Sequence, residues 1–173
     1  MDHATYLKAL RGRLAADGCS VQDTSLGPVA AIAGYRGNFL PQMMFSRIHL
    51  FTVAAAVQDV GAFAVDDFTR RVGEYGRATK GGMRGAQSGI AAFAVLVGDR
   101  VHPDAVPAAT RPAKIEFAVR TQPVVVDLSA GVVHTFRGRQ FWGFALNGFL
   151  RRKLALYVPD PAQPLSHPQA LDS

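Results

Sequence analysis

The chain has 173 residues, 49% apolar and 18% charged, which fits one folded domain with a sizeable core and excludes a disordered chain. Cys19 is the only cysteine, so an internal disulfide is excluded, and the longest apolar run, residues 90–97, is far short of the roughly 20 residues that cross a bilayer. Nineteen Lys and Arg against thirteen Asp and Glu leave a formal charge of +6, which favours anionic partners and carries no information about fold.

Residues 3–16 place Tyr6, Leu7, Leu10 and Leu14 at helical spacing, with Lys8, Arg11 and Arg13 turned outward. Asp2 is the expected N-cap and Gly18 the expected stop. Residues 19–25 read as a short strand, Gly27-Pro28 as a turn, and residues 29–35 as a second strand. A third strand is predicted over 43–57, with Ile48, Leu50, Thr52 and Ala54 on one face and Phe45, Arg47, His49 and Phe51 on the other. These three strands are expected to form a meander.

A second helix is predicted from Asp66 and Asp67, with Phe68, Val72 and Tyr75 facing inward and Gly81-Gly82 stopping it; acid first and base last suits the helix dipole. Gly73 and Gly76 inside it weaken the helix by about 1 kcal/mol each relative to Ala, or imply close packing. Residues 89–98 are almost unbroken in apolar character and read as a central strand covered on both faces. Residues 99–112 read as a loop with one helical turn around 104–109, and residues 114–127 as one long strand in which Pro123 implies an edge or bulge. Ser129-Ala130-Gly131 then turns the chain into a strand over 132–137. A last helix spans about 141–156, with Trp142, Ala145, Leu146, Phe149, Leu150, Leu156 and Tyr157 on one arc and Phe144, Asn147 and Arg151 opposite. Lys153 falls within the apolar arc and must snorkel.

The expected fold is one α+β domain over residues 1–158, in the order α-β-β-β-α-β-β-β-α. It has a mostly antiparallel sheet of five to six strands, with helices at the start, middle and end, and a Pro-rich flexible tail over 159–173. Without a cationic region and apolar run at the start, a cytoplasmic protein lacking a signal peptide is expected.

Catalytic signals are weak. His3, His49, His102, His134 and His167 show no ligand spacing, although His49 and His134 sit on strands that meet in some topologies. Cys19 stands alone, and Ser88 lies between a helix and a strand, the reverse of a nucleophile elbow. The run 79–85, Thr-Lys-Gly-Gly-Met-Arg-Gly, resembles a phosphate loop in composition, but a helix precedes it and a strand follows it. No cofactor or metal is expected.

The order helix, three strands, helix, strand resembles that of the restriction-endonuclease core. That family's second and third strands carry metal-binding carboxylates, whereas here residues 29–33 and 48–52 carry none, so the resemblance implies at most an inactive descendant. The order, continued to a final helix, is also similar to the secretion-chaperone fold, a resemblance that implies polypeptide binding and dimerisation.

Residues 128–159 contain no acid and carry Arg137, Arg139, Arg151, Arg152 and Lys153 beside six aromatic rings. The wheel assigns most of these rings to the core and leaves Arg137, Arg139, Phe144, Arg151 and Arg152 as surface candidates. Lys80 and Arg84 join them if the two basic groups share a face, and Arg70, Arg71 and Arg77 surround the second helix with only Glu74 opposing them. Fifteen of the nineteen cations are Arg, which suits bidentate contacts to carboxylate or phosphate, and is also what GC-rich coding produces. The expected function is non-enzymatic binding of an acidic protein or peptide, with self-association to a homodimer. The alternative is nucleic-acid binding, with arginines on phosphates and Phe144 stacking.

Overall fold

The computed structural model describes residues 1–40, 46–80, 88–116, 119–138 and 144–163; for Ser46, Lys80, Ser88, Glu116, Phe144 and Ala145 only the backbone is described. Helix α1 (His3–Ala16) begins where Asp2 accepts from the Thr5 amide at 2.8 Å. It ends at Gly18, whose φ of 77° lets the Gly18 and Cys19 amides turn back onto the Ala15 and Leu14 carbonyls. Strands β1 (Ser20–Leu26), β2 (Val29–Leu40) and β3 (Ser46–Val60) form the expected antiparallel meander. Helix α2 (Ala62–Lys80) then carries the chain over the sheet to β4 (Ser88–Val101), which lies parallel to β3. The short helix α3 (Ala105–Thr110), strands β5 (Lys114–Glu116), β6 (Val119–Asp127) and β7 (Val132–Thr135), and helix α4 (Phe144–Tyr157) complete the fold.

The α+β class stands, and the sheet is mixed: among the described residues it has seven strands in the order β1-β2-β3-β4-β6-β5, with β7 also on β6. Two central pairings, β3 with β4 and β4 with β6, are parallel, because a helix covers each return and brings the chain back in the same direction. Residues 114–127 are two strands and not one, since β5 folds back antiparallel on the start of β6. Pro123 marks the join. β5 pairs with residues 119–121 and β7 with 124–127, so the proline that lacks an amide sits where the outer side of β6 changes partner.

Two cores follow from the alternation of β3, β4 and β6. One face, with Ile48, Leu50, Phe93, Val95, Val124 and Val126, is covered by α1 and α4; the other, with Phe51, Val53, Leu96 and Val125, is covered by α2 and α3. Every residue from Ala91 to Val97 is 3% exposed or less. Each buried Val, Leu or Phe contributes about 1.5–3 kcal/mol, and the alanines between them let helices approach closely.

Helix α2 starts one turn earlier than its acids predict, because the Val65 amide already bonds to the Gly61 carbonyl. Its first turn therefore holds no acid. Its interior glycines are packing sites: a Cβ on Gly73 would stand 3.0 Å from Thr121 Oγ1, and one on Gly76 would stand 3.4 Å from Phe51. Leu156 departs from its predicted place on the apolar arc and is exposed. Trp142 and Phe45 lie outside the described residues. Beyond α4 the chain is still held, since the Tyr6 hydroxyl donates to the Pro159 carbonyl at 2.6 Å. Among the described residues no helix is long and apolar enough to cross a membrane.

The contact between α1 and β2 is testable. A Cβ on Gly34 would lie 2.8 Å from Leu14 Cδ1, and Leu14 is fully buried. Gly34→Ala is expected to cost about 1–3 kcal/mol in urea denaturation, and much less in a Leu14→Ala background. Equal penalties in both backgrounds would sink this account.

Candidate functional site

The last helix is placed by one polar network. Asp17, just past α1, accepts from Lys153 Nζ at 2.5 Å, from the Tyr157 hydroxyl at 2.6 Å and from Arg36 at 2.7 Å. Lys153 lies 5.9 Å from the Phe149 ring centre and 5.6 Å from that of Tyr157, so its stem is packed and its charge is paired. That resolves the cation in the apolar arc: α4 turns Lys153 inward to Asp17. Burial would raise the Asp17 carboxyl, but the bonds from Lys153, Tyr157 and Arg36 outweigh it and hold the group at about 2, below its ordinary 3.8. Burial pushes the Tyr157 hydroxyl up, reinforced by its bond to Asp17, and burial likewise raises the Cys19 thiol, which lies 3.5 Å from that hydroxyl.

With α4 so placed, a groove of about 760 Å³ opens between it, β7 and residues 158–163. Val133 and Val158 contribute apolar surface, and Arg13, Arg137 and Arg151 line it with Asp160 as the lining acid. Arg151 donates to the Gly138 carbonyl at 2.7 Å and to the Arg137 carbonyl at 3.3 Å. These bonds tie the segment after β7 to α4 through neutral acceptors. Among the described residues Arg13, Arg137, Arg151 and Arg152 form no ion pair.

The sequence candidates thus divide. Arg137 and Arg151 meet at the groove, and Arg152 is exposed on the same helix. Arg139 and Arg84 lie outside the described residues, as does the side chain of Phe144. Lys80 ends α2, which packs on the opposite face of the sheet from α4. The basic residues of α2 are therefore not part of the groove. They are also more compensated than Glu74 alone implies, because Asp67 takes Arg70 at 2.6 Å and Arg71 at 2.7 Å.

Sequence reasoning missed two contributors. Arg13 reads as solvated charge on α1, yet faces the groove. Arg120 lies on β6 at an inward position shared with Val124 and Val126, and donates to Asn147 Oδ1 at 2.9 Å. Its Nε is buried without a hydrogen-bond partner, and burial pushes its guanidinium below the ordinary value. The signal was a cation at an even position of a strand whose other even positions are core; the wheel alone had put Asn147 on the wet side.

Residues for other chemistry do not converge. His49 on β3 bonds to the Tyr35 hydroxyl at 2.8 Å, while His134 on β7 is separated from it by β4 and β6. The one acid on β2 or β3, Asp59, lies near the end of β3 and pairs with Arg100 at 2.9 Å. Among the described residues no three His, Cys, Asp or Glu side chains are grouped to hold a metal. No protein-family model, curated protein or solved structure matches this chain.

The Asp17 network predicts an acid dependence. A carboxyl held below its unfolded value contributes stability that is fully present above about pH 5 and lost as pH falls toward 2, here about 2 kcal/mol. Urea unfolding between pH 7 and pH 2.5 should therefore show less acid loss in Asp17→Asn than in the parent. An unchanged pH profile in the variant would refute the role given to Asp17.

Proposed function

We propose that this chain is a non-enzymatic binding module that engages an acidic protein or peptide segment in the groove beside α4 and associates with a second copy of itself. The observation that carries the reading is the charge of the groove: among the described residues, three arginines and one aspartate border an apolar surface. Such a groove suits an extended segment that places carboxylates on the guanidiniums and apolar side chains on Val133 and Val158. Self-association is supported by β1, which pairs only with β2 among the described residues and offers a free edge over Ser20–Leu26. The free thiol of Cys19 suits a reducing, cytoplasmic setting.

A fluorescent peptide of alternating Glu and Leu is the test. Binding by anisotropy should weaken at least about tenfold in Arg137→Glu, should weaken with salt, and should be unaffected by Arg77→Glu on the opposite face. No binding, or equal loss in both variants, rejects the groove. Retardation of generic DNA or RNA at about 50 mM salt, with no affinity for the peptide, replaces this reading by the nucleic-acid one. Light scattering across protein concentration tests self-association, and a monomer throughout rejects it.

A further inference from the structure

A smaller cavity lies between α4 and the floor made by β4 and β6. It adjoins the groove, sharing Phe136, Arg151 and Leu154 with it, and has a volume of about 40 Å³. One water position needs roughly 10–15 Å³, so the space admits about three non-hydrogen atoms, the size of the oxygen face of a small anion. Its polar lining is Arg120, Gln122, Asn147 and Arg151, and no acid is among the described residues that line it.

Arg120 is the unusual member. A guanidinium drawn from water is costly unless an opposite charge or a full set of acceptors replaces the solvent. Here Asn147 supplies one acceptor, the buried Nε has none, and no ion pair forms among the described residues. The fold retains a second cation, Arg151, at the same cavity, and fixes it through the Arg137 and Gly138 carbonyls. Two guanidiniums line one small cavity, neither paired with a carboxylate among the described residues, and they repel each other unless an anion stands between them.

We infer that this cavity is a binding site for a small oxyanion, a phosphate or carboxylate group, received by the guanidiniums of Arg120 and Arg151. Asn147 is a positioning residue that holds the Arg120 guanidinium toward the space. The site does not depend on the peptide reading, since free phosphate would occupy it whether or not a peptide lies in the groove.

The experiment follows the thermal unfolding of the full chain in sodium phosphate, sodium acetate and sodium chloride at matched ionic strength. Phosphate or acetate should raise Tm saturably beyond chloride, by about 3–5 °C near ten times its dissociation constant, and Arg120→Met should abolish the excess. A saturable effect of phosphate alone names a phosphate group as the ligand, and one of acetate alone names a carboxylate. Because Arg120→Met alters a packed position, the parent protein is also titrated with phosphate and acetate while its arginine Nε–H resonances are followed by NMR. The Arg120 resonance should shift saturably with the anion that raises Tm. An Arg120 resonance unmoved by either anion, or a Tm no higher in phosphate and acetate than in chloride, overturns the site. Loss of peptide binding with the anion effect intact would reject the groove alone.

Discussion

The structure depends on β4 being buried on both faces. A strand of small and branched apolar residues, parallel to both its neighbours, has no side to offer to water, so helices must lie above and below the sheet. That requirement divides the four helices into two layers and decides which surfaces the protein can use. α2 and α3 close one face with Val65, Phe68 and Val72, and α1 and α4 close the other with Tyr6, Leu10, Phe149 and Tyr157. The second layer is less evenly sealed. β6 presents Arg120 and Gln122 to α4 where Val124 and Val126 would otherwise continue the core, and the layer opens there into a cavity and a groove.

A helix over a partly polar floor needs a tie besides apolar contact, and Asp17 provides it. The carboxylate joins the end of α1, the middle of β2 through Arg36, and two successive turns of α4 through Lys153 and Tyr157. Breaking one partner of such a part-buried cluster leaves a partly desolvated charge behind, so the loss exceeds what the intact cluster contributes. Its value here is therefore positional: it fixes the rotation of α4, and with it the direction in which Asn147 and Arg151 project. The remote end of α1 thus bears on the groove through Asp17, just as Arg13 borders it directly.

Local pattern was enough to read the meander, the central strand and the last helix, because each has a period matched to the face it buries. The parallel return was only half legible. An unbroken apolar run covered on both faces already implies parallel neighbours, but the pairing of β4 with β3 and β6 is made across residues far apart in the chain. The fold-back of β5 on β6 is hidden for a related reason, since alternation continues through residues 114–127 and only Pro123 signals that the outer partner changes. At the site, Arg137 and Arg151 were legible as cations in an acid-free stretch. Arg120 was not, because its meaning depends on Asn147, 27 residues later on an overlying helix.

The distribution of acids decides which cations are compensated. Arg11 is taken by Asp23, Arg100 by Asp59, Arg111 by Asp66, Arg70 and Arg71 by Asp67, and Arg36 and Lys153 by Asp17. Asp2 and Asp127 serve a helix cap and a turn, where they accept from backbone amides. Apart from the Asp17 cluster, which reaches α4 through Lys153, these pairings lie on α1, α2, the strands and the segment after α3. Arg13, Arg120, Arg137, Arg151 and Arg152, on or around a helix with no acid of its own, form no ion pair among the described residues. Three of these five donate to neutral acceptors: Arg120 to Asn147, Arg151 to the Arg137 and Gly138 carbonyls, and Arg13 to the Leu156 carbonyl at 3.4 Å. Neutral acceptors hold a guanidinium in place without cancelling its field, which is the condition for a cation to remain available to an anionic ligand.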